Sequence, residues 1–522
     1  MPFQRGLLGH QRRDTPYTRP EHLRLALEEL GAAFVKLGQI LSTRPDLLPP
    51  EYLSELAKLQ DAAPPVPDPA VRELVAEELG RDPEQAFASF DLAPLAAASI
   101  GQAHAATLHD GTEVVVKVRR PGVVEQVEED LEILQNLAAH AGRHWQPAAD
   151  YDLVGLAAEF TQTLTSELDY LREGRSADRF AADFAGDPDV HIPQVYWDTT
   201  TSRVLTLERI RGIKVSDVDS LDAAGIDRHT LAKRATRVTA EMIFENGFFH
   251  ADPHPGNLFI EADGRIGLID FGMVGELDER LREQLGHVLI ALAGRDYDRF
   301  TDVVLDLGVA RVPVSHAALR DDLVRLITPY EGRPIGEIAF GQLIQEVFTV
   351  VRQHRLRLPR ELVLLLKMVV MNEGMAAQLD PDFQLGEVLA PYAQRLVAHQ
   401  LSPAVLAQRL AQAGIEAAQL GLEAPAQLRR LLAVLDRGGL EAHLRADELE
   451  PLVARVERLG NRLVAGVLAA AFIQGVGELM ALDPVRRRRW EGPLFAGGLG
   501  AAGTLGAYLA WTARRGRHRP PR

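Results

Sequence analysis

The residues best suited to carry out chemistry lie in the middle of the chain. Residues 250–257 read H-A-D-P-H-P-G-N, and residues 270–272, which follow a strand-like segment and a turn, read D-F-G. Phosphoryl transfer from a nucleotide needs a carboxylate near the acceptor and two oxygen ligands that hold Mg²⁺ over the phosphates. Asp252 supplies the carboxylate, and Asn257 and Asp270 supply the two metal ligands. This region therefore predicts a nucleotide-dependent active site.

The spacing within this region is that of a protein-kinase catalytic loop. Asp252 and Asn257 are five positions apart, as the loop requires, and a hairpin then returns the chain so that Asp270 faces the same space. A kinase also places a lysine on a strand of its smaller lobe, where it contacts the α and β phosphates. Lys117 has this place, because the Asp-Gly pair at 110–111 predicts a hairpin whose second strand, V-V-V-K-V, carries it.

Such a lysine needs a glutamate on a neighbouring helix to orient it. One helical pattern runs from Leu153 to about Phe184, and its segment E-L-D-Y-L-R-E offers Glu167 and Glu173. On a single helix these two residues are six positions and about 240° apart, so they cannot both face the lysine equally. Spacing alone leaves the choice between them open.

Composition limits the chemistry and the partners. The chain has 522 residues, no cysteine, and a net charge of −16 from 57 Lys plus Arg and 73 Asp plus Glu. The lack of cysteine excludes disulfides, a thiolate nucleophile and Cys-ligated metals. The acidic balance argues against binding to nucleic acid, which needs a basic surface. Because the N-terminus lacks the apolar run of a secretory signal, we expect a cytoplasmic body.

The C-terminal region differs from the rest of the chain. Residues 493–511 carry no charge and would span about 28 Å as a helix, near the thickness of a bilayer core. Residues 463–482 are also apolar, although they include Gln474 and Glu478. A membrane anchor is the favoured interpretation, and a pair of buried core helices is the alternative. The arginines at 486–489, between the two segments, conflict with the positive-inside rule for a double span, which leaves the topology open.

Hydrophobic periodicity and turn signals divide the chain into five regions. A helical extension comes first, a small mixed lobe follows, and a larger, mostly helical lobe contains the D-F-G segment. In the extension, one helix begins at Pro20 and ends before Pro45. We expect an α+β fold of two lobes with these boundaries: residues 1–86 (helical extension), 87–211 (smaller lobe), 212–400 (larger lobe), 401–460 (amphipathic helices) and 461–522 (C-terminal hydrophobic segments).

Taken together, these residues resemble the UbiB (AarF) family of atypical kinases in the protein-kinase-like superfamily. The resemblance covers about residues 20–400, and hydrophobic C-terminal segments are also typical of the family. It implies a bilobal protein-kinase-like fold, with the helical extension over the cleft and C-terminal membrane helices. Five motifs of the family are matched in this sequence. They are the K-x-G-Q motif at residues 36–39, the Ala-rich loop at 96–104, the E-x-D motif at 167–169, the catalytic loop at 250–257 and the metal-binding loop at 270–272.

The resemblance also implies a function. Members of this family look like membrane-associated, ATP-binding proteins with ATPase activity that support the biosynthesis of isoprenoid quinones, especially ubiquinone. ATP or ADP and Mg²⁺ are the implied cofactors. Membrane lipid, quinone precursors and quinone-biosynthesis enzymes are the implied partners, and the cytoplasmic body is expected to associate with the membrane.

The same resemblance assigns residues to the active site. It makes Glu173 the partner of Lys117, so that these two residues and Asp252 form the catalytic group. The backbone near Glu208 and Ile210 takes the place of the hinge that meets adenine. The residues implied to bind nucleotide are Ala96, Ala97, Ala98, Ser99, Lys117, Glu208 and Ile210.

A further set of residues is implied to regulate the site. Lys36 and Gln39 are three positions apart and therefore share one face of a helix. A solvated surface is the usual interpretation of such a pair. The resemblance instead implies that this helix packs over the active site, where Lys36 pairs with the motif of Glu167 and Asp169 and the peptide-binding cleft is blocked.

Three departures from ordinary protein kinases bear on the substrate. Alanines occupy the nucleotide loop in place of glycines, and their methyl groups should change how the nucleotide is held. Ala251 replaces the arginine of H-R-D, which removes the usual coupling to an activation-loop phosphate, and no A-P-E follows Gly272. The last two departures disfavour a peptide substrate. Three hypotheses remain: an ATPase or a small-molecule or lipid kinase, a nucleotide-gated scaffold for membrane enzymes of quinone or lipid biosynthesis, and, least favoured, a protein kinase.

Overall fold

The first helices of the protein form a small bundle, α1 (Arg19–Leu30), α2 (Ala32–Ser42) and α3 (Pro50–Leu56). The prediction of one helix between Pro20 and Pro45 was wrong. Gly31 interrupts it with a φ of 111°, a backbone conformation that strains any residue with a side chain. A computed structural model describes residues 17–59, 64–144, 152–310, 314–333 and 335–400.

A compact apolar core joins the three helices of this extension. It contains the buried side chains of Leu27, Phe34, Leu56 and Leu59. Gly38 lies against the same core, and a Cβ on it would be 2.2 Å from Leu59 Cδ1. The glycine of the K-L-G-Q segment is therefore required by the close approach of two helices.

Buried ion pairs attach the extension to the rest of the protein. Arg44 donates to Asp46 and to Glu159, with N–O distances of 2.7 Å in both pairs. Arg357 also donates to the Glu159 carboxylate, at 2.6 Å, and it pairs with Asp152 at 2.9 Å. The side chain of Asp46 is fully buried and that of Arg44 is 6% exposed. Charges from three distant parts of the chain are thus compensated together.

The smaller lobe is built on an antiparallel sheet in the strand order β1-β2-β3-β5. The predicted hairpin at Asp110 and Gly111 is confirmed, and Thr107 pairs with Glu113 across it. A further strand in this stretch, β4, pairs with the larger lobe. The elements are α4 (Asp68–Leu79), α5 (Pro83–Ala86), β1 (Ser89–Ala97), β2 (Gly101–Thr107), β3 (Glu113–Arg119), α6 (Val123–His144), α7 (Leu153–Glu167), α8 (Tyr170–Asp183), β4 (Val190–His191) and β5 (Val204–Glu208).

The predicted single helix between Leu153 and Phe184 was also wrong. It is divided into α7 and α8 by a break at Leu168 and Asp169. The Asp169 carboxylate accepts a hydrogen bond from Leu171 N at 3.1 Å and caps the second helix, while the Leu168 carbonyl accepts one from Arg119. The break places the E-x-D motif at a joint between two helices.

The larger lobe carries short strands beside its helices. Strands β4, β9, β8 and β6 form one sheet, while β10 pairs with β7 and β11 pairs with β12. The elements are β6 (Ile213–Lys214), α9 (Val218–Ala223), α10 (Arg228–Glu241), β7 (Phe248–His250), β8 (Leu258–Ile260), β9 (Ile266–Leu268), β10 (Val274–Glu276), α11 (Glu279–Ala293), α12 (Tyr297–Leu307), β11 (Val309–Ala310), α13 (His316–Ile327), α14 (Phe340–Gln353), β12 (Leu356–Arg357), α15 (Arg360–Leu379) and α16 (Leu385–Gln400).

Helix α15 runs through the core of the larger lobe. It is the one helix in the described ranges that is long and apolar enough to cross a membrane, but 56% of its most apolar stretch is buried inside the protein. Val363 and Met368 on this helix are almost completely buried. Such burial is typical of a core helix. The predicted amphipathic region 401–460 and the hydrophobic segments 461–522 lie outside the described residues.

Candidate active site

Lys117 and Glu173 form an ion pair between the sheet and helix α8. Alternation along β3 buries Val114, Val116 and Val118 on the opposite face of the sheet, so Lys117 projects toward the cleft. Glu173 lies in the first turn of α8 and also accepts a hydrogen bond from Phe271 N at 3.4 Å. One glutamate thus connects the lysine to the D-F-G segment.

The charges around this pair are strongly coupled. Burial alone would lower the pKa of Lys117, but the nearby carboxylates of Asp270 and Glu173 outweigh it and hold the pKa above its ordinary value. Burial raises the pKa of Glu173, and Asp270 adds to this effect, while Lys117 opposes it. The lysine therefore stays charged at neutral pH and compensates two carboxylates.

Asp270 lies close to the same lysine. Its Oδ1 atom is 3.9 Å from Lys117 Nζ and accepts a hydrogen bond from Gly272 N at 3.0 Å. Burial opposes ionisation, but Lys117 and the Gly272 N–H together lower the pKa of Asp270 to about 2. Phe271 is 1% exposed and anchors the segment in the core. The carboxylate is therefore ionised and held in place before any ligand arrives.

The catalytic-loop segment is braced by its own histidines. His250 Nδ1 accepts a hydrogen bond from Asp252 N at 3.1 Å, and His250 Nε2 is hydrogen-bonded to the Asp270 carbonyl. Burial lowers the pKa of His250, which favours its neutral form. His254 Nδ1 accepts from Gly256 N at 3.0 Å, so it stabilises the turn between the two prolines. Both histidines make contacts that hold the loop.

Asn257 is brought beside Asp270 by the backbone. Its carbonyl accepts a hydrogen bond from Ile269 N at 3.2 Å, and its N–H donates to the His254 carbonyl at 2.8 Å. Because Ile269 directly precedes Asp270, the two predicted metal ligands come from neighbouring strand ends. The segment between them forms the antiparallel pair β8 and β9, as the hairpin prediction required.

The Asp252 carboxylate has a partner that sequence analysis missed. Lys367 Nζ, on α15, donates to Asp252 Oδ1 at 2.8 Å. The lysine side chain is 14% exposed, and that of Asp252 is 35% exposed. The two residues are 115 positions apart in the chain. The one available signal was a single lysine within an otherwise apolar stretch of helix.

The residues predicted to be regulatory lie in two places, at the junction between the extension and α7 and within the extension itself. Lys36 Nζ lies 3.5 Å from Glu167 Oε2 and connects the extension to the end of α7. Gln39 instead donates to the Leu59 carbonyl at 3.2 Å, within the extension itself. Asp169 caps α8. Because the two helices are separate, Glu167 and Glu173 serve different lysines, which settles the choice that spacing left open.

The alanine-rich loop is the tip of the β1-β2 hairpin. Ala98 N donates to the Gly101 carbonyl at 2.8 Å and closes the turn. Arg120 Nε donates to the Ala98 carbonyl at 2.7 Å, a contact that sequence analysis did not predict. Ser99 is buried in the same turn. Residues 96–99 thus have the place in the fold where a kinase holds its nucleotide loop.

The predicted hinge connects the two lobes at the end of β5. Glu208 N donates to the Gln194 carbonyl at 2.9 Å, so this backbone donor is already used. Within the described residues, no hydrogen bond uses the backbone N–H or carbonyl of Ile210. Its side chain packs against Gly267, where a Cβ would lie 2.6 Å from Ile210 Cγ2. Ile210 therefore offers the backbone groups that could meet an adenine ring.

The donor set for a metal ion is small. Among the residues that the structure describes, no group of three or more His, Asp or Glu side chains is arranged to hold a metal. Asn257 and Asp270 provide two oxygen donors from adjacent strand ends. This set fits Mg²⁺, which is bound by one or two carboxylates together with substrate phosphates and water.

Known families match most of the described chain. The model of the ABC1 atypical kinase-like domain matches residues 58–304, and the model of the UbiB helical domain matches residues 323–384. A Xylella fastidiosa (strain 9a5c) protein named "Probable protein kinase UbiB" is 34% identical over 501 residues, which are 95% of this chain and 91% of the relative. The protein of that name from Xanthomonas campestris pv. campestris (strain B100) is 35% identical over 512 residues, with the same coverage.

A solved structure is also similar. It is the complex of Rv3197 with erythromycin from Mycobacterium tuberculosis, with 26% sequence identity and a TM-score of 0.48. The match covers 73% of this chain and 94% of the solved chain.

Proposed function

Because this chain belongs to the UbiB family of ABC1 atypical kinase-like proteins, we propose that it is an ATP-dependent enzyme that hydrolyses ATP or transfers its terminal phosphate to a small molecule. Family membership implies a role in ubiquinone biosynthesis. We propose that this role is carried out at a membrane, with ATP or ADP and Mg²⁺ as cofactors and with quinone precursors and quinone-biosynthesis enzymes as partners.

The observation that carries this proposal is the set of contacts around Lys117. One ammonium group compensates both Glu173 and Asp270, and it lies on the strand that follows the alanine-rich hairpin. In the proposed reaction Lys117 would bind the α and β phosphates, and Asn257 and Asp270 would hold Mg²⁺, which would supply positive charge to the transferred phosphoryl group.

Asp252 is the proposed general base of the reaction. It lies on the catalytic loop, with its backbone held by His250, and a carboxylate there can accept the proton of the attacking hydroxyl group. The attacking group would come from water or from the hydroxyl of a small acceptor.

A peptide acceptor is disfavoured by the surroundings of the cleft. Helix α11 begins at Glu279, so only residues 273–278 separate it from the D-F-G segment, and β10 uses half of them in pairing with β7. This leaves little chain for a peptide-binding platform. The contact between Lys36 and Glu167 also ties the extension to the smaller lobe beside the site.

The membrane part of the proposal comes from sequence. Residues 493–511 are uncharged, and residues 485–522 contain nine arginines and one acidic residue. Such a tail would insert an apolar segment and meet anionic lipid headgroups.

A nucleotide-gated scaffold is the second candidate. It is favoured by the buried ion pairs of Arg44, which fix the extension to α7, because a fixed extension would limit access for a large acceptor. A scaffold would bind nucleotide and turn over little of it, whereas the enzyme would release phosphate.

Phosphate release and nucleotide binding distinguish these functions. We would measure both in the wild type, Asp270→Asn and Asn257→Ala. The matched control is Asp298→Asn, because the Asp298 side chain is 71% exposed. Each measurement is made with and without anionic vesicles and a quinone-precursor analogue. We expect Mg²⁺-dependent phosphate release that Asp270→Asn abolishes and Asn257→Ala weakens, with the control unchanged. Wild-type turnover in Asp270→Asn would refute the active-site assignment, and tight nucleotide binding without phosphate release in any condition would favour the scaffold.

A further inference from the structure

We propose that Lys367 is a positioning residue for Asp252, so that helix α15 of the larger lobe supplies a charge to the catalytic loop. This inference rests on the proposed function in taking Asp252 as the catalytic carboxylate. Lys367 Nζ donates to Asp252 Oδ1 at 2.8 Å. In the described part of the chain, it is the one side chain that hydrogen-bonds to this carboxylate.

The catalytic loop contains no permanent cation of its own. Residues 250–257 include neither lysine nor arginine, and both of their histidines are used to brace the backbone. The Asp252 side chain is 35% exposed, and covering the rest of a carboxylate without a compensating charge is costly. Lys367 supplies that charge from a distant part of the chain.

Helix α15 is fixed tightly enough to set the position of this ammonium group. Met368, the next residue, is 1% exposed. One to two turns further on, Asn372 donates to Thr236 at 3.3 Å on α10, and Glu373 accepts a hydrogen bond from Phe340 N at 3.0 Å at the start of α14. These contacts determine the rotation of α15 about its own axis and therefore the direction of Lys367.

The contact has a specific consequence for Asp252. An ammonium group on Oδ1 restrains rotation of the carboxylate and leaves Oδ2 as the oxygen that can accept a proton. A carboxylate that rotates freely would have an oxygen in the required orientation for only part of the time, which lowers the rate of the chemical step. Binding of nucleotide depends on other residues, since Lys117, Asn257 and Asp270 form no hydrogen bond or ion pair with Lys367 among the described residues.

The test separates rate from binding. We would measure kcat and KM for ATP, Mg²⁺-ADP affinity and thermal unfolding of the full chain for Lys367→Met, Lys367→Arg and Asp252→Asn. The matched control is Arg325→Met, which removes an ion pair of a side chain that is 75% exposed in the same helical region. We expect Lys367→Met to lower kcat about 10- to 100-fold with KM and ADP affinity within about twofold of wild type.

The conservative variant and the double variant complete the test. We expect Lys367→Arg to recover most of the lost kcat, Arg325→Met to behave as wild type, and Lys367→Met in the Asp252→Asn background to cause no further loss. Wild-type kcat in folded Lys367→Met, or a loss confined to stability, overturns the proposal. If Lys367→Met fails to fold, a Lys367→Arg variant that folds but has the activity of Asp252→Asn also overturns it.

Failure of the proposed function would look different. In that case the wild type binds Mg²⁺-ADP but releases no phosphate. The pairing is then measured by thermal unfolding of Lys367→Met, Asp252→Asn and the double variant. Non-additive shifts support the pairing, and additive shifts overturn it.

Discussion

Gly101 lies directly against the hydroxyl group of Tyr170. A Cβ on Gly101 would be 2.2 Å from Tyr170 Oη and 2.9 Å from the Val118 carbonyl oxygen. Tyr170 begins α8, the helix that carries Glu173. The alanine-rich hairpin and the lysine-pairing glutamate are therefore connected through one close contact, which only a residue without a side chain permits.

Gly101→Ala should disturb the hairpin. We expect a loss of about 1–3 kcal/mol in the free energy of unfolding, because the added methyl group must displace the phenol. Tyr170→Phe in the same chain should recover part of the loss but not all of it, since the Val118 carbonyl remains. Urea unfolding of the two single variants and the double variant measures this, and an unchanged stability in Gly101→Ala would contradict the contact.

The alanines of the hairpin tip should set nucleotide preference. We predict that Ala97→Gly changes the ratio of ATP to ADP affinity, because glycine opens backbone conformations that the alanine Cβ forbids. Ala96→Gly and Ala98→Gly test the neighbouring positions, and affinities are measured by titration with Mg²⁺ present. If all three variants leave both affinities unchanged, the loop has no selective role.

Removal of the Lys117 charge should destabilise the protein most at high pH. In Lys117→Met, the pKa of Glu173, already raised by burial, rises further. A carboxyl group whose pKa is higher in the folded state destabilises the fold as the pH increases above its unfolded value of about 4.3. We expect a loss of about 2–4 kcal/mol in the free energy of unfolding near pH 8 that shrinks toward pH 5.

A double variant and a surface variant serve as controls for this prediction. Adding Glu173→Gln to Lys117→Met should restore part of the stability at the higher pH, because it removes one of the two carboxylates that Lys117 compensates. Lys58→Met, at a lysine that is 63% exposed, should cost less than about 1 kcal/mol at both pH values. Urea unfolding at the two pH values is the measurement, and equal losses for Lys117→Met at both would contradict the assignment.

Arg44→Met should loosen the helical extension. It leaves the buried Asp46 carboxylate without its cation, and we expect a loss of about 3–5 kcal/mol in the free energy of unfolding. Hydrogen exchange in residues 19–56 should become faster. Arg72→Met is the control, because its ion pair with Glu84 is about half exposed on both sides and should contribute less than about 1 kcal/mol. Equal effects of the two variants would show that the extension is held by other contacts.

Deletion of residues 460–522 should release the protein from membranes. The uncharged segment and its flanking arginines are the proposed anchor. We expect the truncated chain to fractionate as a soluble protein that still binds nucleotide, whereas the full chain sediments with membranes. Recovery of the full-length chain wholly in the soluble fraction would refute the anchor.

Local motifs explain what could be predicted from sequence. The hairpin at Asp110 and Gly111 and the return of the chain from Asn257 to Asp270 are short-range features, and their turn residues specify them. The end of α4 at Gly80, in a left-handed conformation, is of the same kind.

The failures have physical reasons as well. The apolar period of residues 153–184 continues through Leu168, so the break is not visible in it, although Asp169 was a possible helix cap. The pairing of Lys367 with Asp252 depends on how α15 packs against the catalytic loop, across 115 positions of chain. No periodicity in one sequence contains that information.

The lysines of the site also bear on whether residues 87–310, the smaller lobe and the first part of the larger lobe, could form a self-sufficient module. Lys36 comes from the extension and Lys367 from α15, and each neutralises a carboxylate of the region between them. A gene fragment limited to residues 87–310 would encode Glu167 and Asp252 without Lys36 or Lys367. Recombination that transferred this catalytic unit to another protein would therefore have to carry the extension and α15 with it to keep both ion pairs.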